Sequence, residues 1–392
     1  MTFALAEHHE DLRAVVRDFA AAEIAPHIAK WDETHHFPAH LVPLMGELGL
    51  FGLVVPEEHG GAGGDFTSLC VAIEELGYVD QSAGITLSAG VGLGINPILT
   101  FGTDEQKQRW LPDLVEGRAL AAFGLTEPEA GSDAGATRTK ARLEDGEWVV
   151  DGAKSYITNS GTELTSVVTV TARTGTRDDG SAEISAITIP AGTPGFTVEQ
   201  AYRKLGWNSS DTHGLSFSGC RVPEDHLLGE RGAGFRQFLA ILDDGRIAIS
   251  ALALGSARAC LDLATEYART RVAFGAPIGR NQGVAFPLAD LATAVEAGHL
   301  LTYKAAWLKD EQRQGRASAA EVRDAAAKAK LHTSTVAMDA ARLATQVFGG
   351  AGFMEEYPVA RFYRDAKILE IGEGTSEVQR LVLARGLGLP VA

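Results

Sequence analysis

Apolar residues recur over the first thirty positions at Leu5, Leu12, Val15, Val16, Phe19 and Ile24, spacings that build one helical stripe. "FTSLCVAIEELGYVD" predicts a second helix ended by Gly77, and "TDEQKQRWLPDLVEG" a third with Thr103 as its cap. A glycine-rich loop, "GLFGLVVPEEHGGAGGD", separates the first two. Near Ala121 the period changes. "EDGEWVVDGAKSYITN", "LTSVVTVTAR", "SAEISAITIP", "GFTVEQ" and "THGLSFSGCRVP" are short β-branched runs broken by Asp-Gly and Pro-Gly, the pattern of an antiparallel sheet or barrel. No helix alternates with these strands, so a parallel nucleotide-binding sheet is not indicated. After Gly232 the helical period returns in three long segments and a shorter last one, "SEVQRLVLARGLG", which predicts an antiparallel four-helix bundle. The expected fold is α+β: a helical domain over 1–120, a β domain over 121–232 and a bundle over 233–392.

Composition narrows the function. Fifty-one acidic against 35 basic side chains give a formal charge of −16, which argues against a nucleic-acid partner. Cys70, Cys220 and Cys260 are far apart and form no CxxC pair, so neither a disulfide framework nor a zinc site is expected. His36 and His40 are four apart, but Pro38 between them disfavours a helical metal pair, and no metal is expected. The N-terminus lacks the basic start and apolar run of a signal peptide. The longest apolar stretch, "IAISALALGSA" from Ile247, is far short of a membrane span. A soluble, cytoplasmic protein is the expectation.

Several stretches combine chemistry with unusual backbone. "GLTEPEAGSD", from Gly124, reads either as an interdomain loop or as a cradle of N–H groups with Thr126 and Ser132. In "KSYITNSG", Tyr156 and Thr158 fall two apart, on one side of a strand, so a half-buried strand and a stacking surface for a flat cofactor are both open. "LDDGRIAIS" sets Asp243, Asp244 and Arg246 around Gly245 in an apolar helix, as a buried ion pair or a ligand contact. "RTRVAFG" and "QVFGGAGF" suit helix C-caps as well as ligand sites. In "EIGEGTSEVQR", Glu373 stands between Gly372 and Gly374, where little bulk obstructs a close approach.

In identity, order and spacing, "GLTEPEAGSD", "YITN", "LDDGRIAI", "RTRVAFGAPI", "QVFGGAGF" and "YRDAKILEIGEGTSEVQR" resemble the acyl-CoA dehydrogenase family of flavoproteins. The likeness covers essentially the whole chain and is nearest the short-chain type and bacterial members. It implies one FAD per subunit in a homotetramer, an acyl-CoA substrate and an electron-transfer flavoprotein as redox partner. It also implies roles. Glu373 is the general base that takes the α-proton while flavin N5 takes the β-hydride, giving a trans-2-enoyl-CoA. Phe123, Leu125, Thr126, Gly131, Ser132, Tyr156, Ile157 and Thr158 belong to the flavin site. Arg271, Phe274, Gln282, Gln346, Val347, Gly349 and Gly350 hold the FAD of a neighbouring subunit, with Thr375, Ser376 and Glu377 nearby. Ser132, Asp243, Arg246, Gly372 and Gly374 contact the substrate, Asp243 and Arg246 through the pantetheine arm.

Two departures sharpen this. Some relatives carry the base on the helix just before the arginine of "DDGR", where this chain has Gly245, leaving Glu373 without a rival. Many straight-chain enzymes have tyrosine before the glutamate, where this chain has Gly372, so tolerance of branched or bulky acyl groups is expected. Oxygen-reacting relatives of the same fold, or a non-catalytic subunit that completes a partner's FAD site, are the competing readings.

Overall fold

Seven helices build the amino-terminal third of the computed structural model, which describes residues 4–391. They are α1 (Glu7–Phe19), α2 (Ile28–Thr34), α3 (Leu41–Glu47), α4 (Phe66–Val79), α5 (Gln81–Ala89), α6 (Asn96–Phe101) and α7 (Asp104–Val115). The stripe predicted over the first thirty residues is broken by a π-helical turn at Ala20–Ile24, just before Pro26. Val16 and Ile24 are fully buried, whereas Val15 lies off the stripe, exposed. Thr103 caps α7 as expected, in a reciprocal box with Gln106. Gly77 does not end its helix. It lies inside α4, where an added Cβ would come within 2.9 Å of the Leu252 carbonyl oxygen. Close helix packing, not a C-cap, requires that glycine.

The β region holds β1 (Leu120–Gly124), β2 (Lys140–Glu144), β3 (Glu147–Thr158), β4 (Thr165–Thr176), β5 (Ala182–Pro190), β6 (Phe196–Val198), β7 (Thr212–Pro223) and β8 (Leu227–Leu228). Its order is β6-β7-β3-β2-β4-β5-β8, with β1 beside β4. Pairing is antiparallel except that β1, and one residue pair of β2, run parallel to β4. β1 is buried along its whole length because the π-helical segment Gly90–Ile95 packs on it. There Gly94 brings its backbone close to the Ala121 carbonyl.

The last third contains α8 (Gly234–Thr270), a hairpin of β9 (Val272–Ala273) and β10 (Ala276–Pro277), α9 (Gln282–Arg313), α10 (Ala319–Phe348), α11 (Pro358–Leu369) and α12 (Ser376–Gly386). Two expectations change. The bundle gains α11, which starts on Pro358 and buries Val359, Phe362, Ala366 and Leu369. The segment after α8 is a projecting hairpin turned by left-handed Phe274 and Gly275, not a C-cap.

One apolar core runs from Val16 through the bundle to Leu369, and the β region has its own core around Trp148, Val150 and Phe217. Three helical stretches, Gln81–Phe101, Gly234–Thr270 and Gln282–Arg313, are long and apolar enough to cross a membrane by length and composition. This corrects the expectation that nothing reaches span length, because their apolar residues are spread along the helix instead of forming one run. The most apolar windows of the first two are 72% and 78% buried inside the protein, whereas that of α9 is only 17% buried.

Candidate active site

Glu373 sits in the turn between α11 and α12, with left-handed backbone at φ 55°, followed by Gly374 at φ 86°. For glutamate this conformation is strained by about 1–3 kcal/mol and persists only where its surroundings hold it. Lys330 Nζ donates to the Gly374 carbonyl at 2.8 Å, and Gln379 Nε2 donates to the same oxygen at 3.0 Å. Both side chains are fully buried. Glu373 is half-buried, and its Oε2 is sealed from solvent without a hydrogen-bond partner. Burial raises its pKa above the ordinary range, opposed first by Arg246 and then by Lys330. No acceptor for the Glu373 N–H occurs among the described residues.

α8 faces this carboxylate. A Cβ on Gly245 would lie 2.7 Å from Glu373 Oε2, so the glycine leaves the space that the carboxylate occupies. On either side of it the expected charges are paired. Asp243 binds Arg246 at 2.5 Å and Arg323 of α10 at 3.2 Å, and Asp244 binds Lys309 of α9 at 2.7 Å. Burial raises the pKa of Asp243, against the pull of Arg246 and Arg323. A hollow of about 470 Å³ opens at the amino end of α8, lined by Gly135, Phe235, Arg177, Arg231 and Arg236. Arg236 and Gly245 are roughly 14 Å apart along the helix at 1.5 Å per residue.

The loop after β1 packs on the same helix. Phe123 stacks on Phe238 with ring centroids 3.8 Å apart, and Leu125 joins that cluster. The side chains of Phe123 and Leu125 are therefore taken up by packing, and a ligand would meet their backbone. Thr126 is half-buried, and Gly131 and Ser132 are exposed. The N–H groups of residues 131–135 have no partner among the described residues, which suits an anion. The Thr126 carbonyl accepts the Ser155 N–H at 2.9 Å, joining the loop to β3 beside Tyr156. Strict alternation fails there, because a bulge puts Tyr156 at φ 62°. Its ring is nonetheless exposed, Ile157 is buried and Thr158 is half-buried.

Arg271, Phe274 and Gln282 lie at the other end of α8 and the start of α9, and Gln346, Val347, Gly349 and Gly350 at the end of α10. The two helix ends are joined by Tyr267 stacked on Phe348 at 4.1 Å. Arg271, Phe274, Gln282, Gln346, Gly349 and Gly350 are exposed, and Val347 is half-buried. From Gly245 to Arg271 is roughly 39 Å along α8, so this cluster and Glu373 cannot serve one flavin nucleotide within a single chain. Thr375, Ser376 and Glu377 stay with Glu373, Thr375 as the cap of α12.

Sequence reasoning missed four residues. Lys330 and Gln379 hold the Glu373 turn. Glu127 and Lys154, both buried, pair at 2.7 Å beneath the β1 loop. Glu127 also accepts the N–H groups of Arg138 and Thr139. Burial pushes Glu127 up, but Lys154 and these donors leave it below its ordinary value; burial lowers Lys154 to about 8 against Glu127. His8, His9 and Asp65 come together near the amino terminus. His9 Nδ1 accepts the Ala6 N–H and so its Nε2–H donates to Asp65, a pairing that fills both ring nitrogens.

The polar groups fit a flavin and a thioester: unpartnered N–H groups at 131–135 for phosphate, an exposed ring at Tyr156, a hydroxyl at Thr158 and an unpartnered carboxylate oxygen on Glu373. Comparison with known proteins agrees. The family profiles "Acyl-CoA dehydrogenase, N-terminal domain", "middle domain" and "C-terminal domain" match residues 6–118, 122–220 and 232–388. A probable acyl-CoA dehydrogenase of Bacillus subtilis is 48% identical over 99% of this chain and 100% of its own length. The butyryl-CoA dehydrogenase structure from Megasphaera elsdenii superposes with a TM-score of 0.93 at 41% identity, covering 99% of this chain and 100% of that one. A chain in the structure of the electron transferring flavoprotein of Acidaminococcus fermentans gives 0.93 at 41%, covering 99% of both.

Proposed function

The chain belongs to the acyl-CoA dehydrogenase family of FAD-dependent oxidoreductases, and from that premise we propose that it desaturates a short or branched acyl-CoA with Glu373 as general base. The observation that carries this is the Glu373 carboxylate, whose Oε2 is buried, unpartnered and opposite Gly245 of α8. Such an oxygen is free to take a proton from the carbon beside a thioester. Burial raises its pKa, which brings the base nearer its working range, while Arg246 and Lys330 act in the opposite direction and favour the ionised form. The unpaired Glu373 N–H is available to the thioester oxygen, where charge develops as the proton leaves. Bound FAD supplies the two-electron acceptor for the β-hydrogen, removed as hydride, so that the product is the trans-2-enoyl-CoA.

The remaining surfaces suit the rest of the substrate and the assembly. Arg177, Arg231 and Arg236 offer cations for CoA phosphates about one pantetheine length from Glu373, in a chain that is otherwise acidic. Thr126, Ser132, Tyr156 and Thr158 would hold the flavin of this subunit, and Arg271, Gln282 and Gln346 that of a neighbour in a homotetramer. Phe274, Phe286, Trp307 and Phe353 are exposed around that end and along α9, an apolar surface suited to subunit contact. Gly372 bears on the acyl group. A Cβ there would meet only the Ile368 carbonyl at 3.5 Å and Ile368 Cγ1 at 3.9 Å. The backbone does not demand glycine at that position, so the missing side chain leaves room for a branch. An electron-transfer flavoprotein is the proposed electron acceptor.

Anaerobic mixing of the purified protein with butyryl-, octanoyl-, isobutyryl-, isovaleryl- and 2-methylbutyryl-CoA tests this reading. Rapid flavin bleaching with the short and branched thioesters is expected. A colourless protein, or bleaching by none of them, would overturn the proposal; bleaching by straight chains alone would overturn the branched specificity. Fast oxygen consumption in air with no transfer to electron-transfer flavoprotein would assign the chain to an oxidase.

A further inference from the structure

Lys330 has no part in the reading above beyond its charge, yet its environment is unusual. It lies in the middle of α10, fully buried, and no carboxylate approaches it to ion-pair distance among the described residues. A buried ammonium without a carboxylate is costly, so a residue of this kind is retained for something specific. Its one hydrogen bond goes to the Gly374 carbonyl, at the second of two consecutive left-handed residues. The first of those two is Glu373.

We propose that Lys330 is the positioning residue of the base: its ammonium clamps the Gly374 carbonyl, holds the left-handed turn and so aims the Glu373 carboxylate into the space left by Gly245. Gln379 shares the work from α12, reaching the Glu373 and Gly374 carbonyls at 3.3 and 3.0 Å. It is neutral and lies on the segment that follows the turn. Lys330 ties the turn to the middle of α10 and brings a charge. Two cations act on the base, Arg246 from α8 and Lys330 from α10, and Lys330 in turn feels Glu373, Arg246, Glu370 and Glu377. Removing Lys330 deletes one of the two cations that favour the ionised base. Loss of a cation raises a carboxylate's pKa, so the acidic limb of the rate profile must move to higher pH.

This inference rests on the proposed function, and the test keeps the two apart. Holoenzyme with K330M, which preserves length without charge or donor, and with K330Q, which preserves a donor without charge, are compared with the parent by anaerobic bleaching across pH. K330M is expected to lose roughly 10- to 100-fold in bleaching rate, the scale of a misaimed catalytic group, with substrate affinity and FAD content unchanged. Its acidic limb should move upward. K330Q should recover much of the rate while keeping the shifted limb. A carboxyl NMR titration of the substrate-free holoenzyme, with Glu373 assigned through its loss in E373Q, should show the same upward shift in both variants. If the parent bleaches normally while K330M keeps its rate and both titrations are unmoved, the positioning role is wrong and the dehydrogenase reading stands. Lower thermal stability with an unmoved Glu373 titration would make Lys330 structural only and would also sink it. A parent that no acyl-CoA bleaches removes both.

Discussion

Gly245 shows how far single residues decide this site. Replacing a mid-helix glycine with alanine ordinarily stabilises a helix by about 1 kcal/mol. Here the new Cβ would sit 2.7 Å from Glu373 Oε2. G245A should therefore keep or raise the melting temperature while slowing flavin bleaching by roughly 10- to 100-fold; an unchanged rate would mean that the carboxylate does not rest against α8. At this scale, Glu373 was legible because its flanking glycines are conspicuous and its motif is long. Lys330 was not, because "AAAKAKL" reads as a solvated lysine pair. The signal was present in the period: Val322, Ala326, Thr333, Ala337 and Ala344 are buried, and Lys330 falls on the same stripe. Tertiary burial, not the local sequence, then decides which lysine of the pair is enclosed.

Elements hold the site residues through polar ties that no local pattern displays. Lys154 and Glu127 join β3 to the loop before β2 from positions 27 apart; each lies in a motif singled out for other residues, and nothing local shows that the two pair. K154M leaves a buried carboxylate without its cation, so a loss of about 3–5 kcal/mol in urea unfolding is expected, together with weaker FAD retention. K154M/E127Q should regain part of both, and a K154M protein of parental stability would refute the tie. On α11, Asp365 accepts the Trp207 N–H at 2.6 Å and is pushed by burial up to about 7 against Arg361. The folded chain then keeps a proton that the unfolded chain releases near pH 4. This contribution to stability is full below about pH 4 and is lost as pH rises through 7. D365N should flatten that decline in melting temperature, and an identical slope would contradict it. The strand and helix periods revealed most elements, whereas the hairpin at Phe274 turns on left-handed backbone at a non-glycine residue and the parallel placement of β1 depends on β4, far along the chain. α11 was legible in principle from Pro358 and its apolar spacing, but a motif read for its chemistry concealed its helix.

At the scale of the whole molecule, the proposed site at Glu373 and the proposed contacts to a neighbour's FAD at Arg271 lie roughly 39 Å apart along α8, too far to close around one flavin within a single chain. Composition argues against a nucleic-acid partner but carries no sign of this separation, which exists only because α8 is one continuous helix. Phe274 tests the assembly: its side chain is fully exposed at the hairpin tip, so aspartate there costs the isolated subunit little. F274D should lower the mass measured by light scattering and release FAD, and an unchanged assembly that retains its flavin would rule out that contact. The proposal brings base, cofactor and acyl chain together at Glu373, and one measurement reaches that point directly. Single-turnover anaerobic bleaching of E373Q, matched to the parent in FAD content, should be slower by about 10²- to 10⁴-fold or more. Bleaching at the parental rate would show that a different group removes the α-proton.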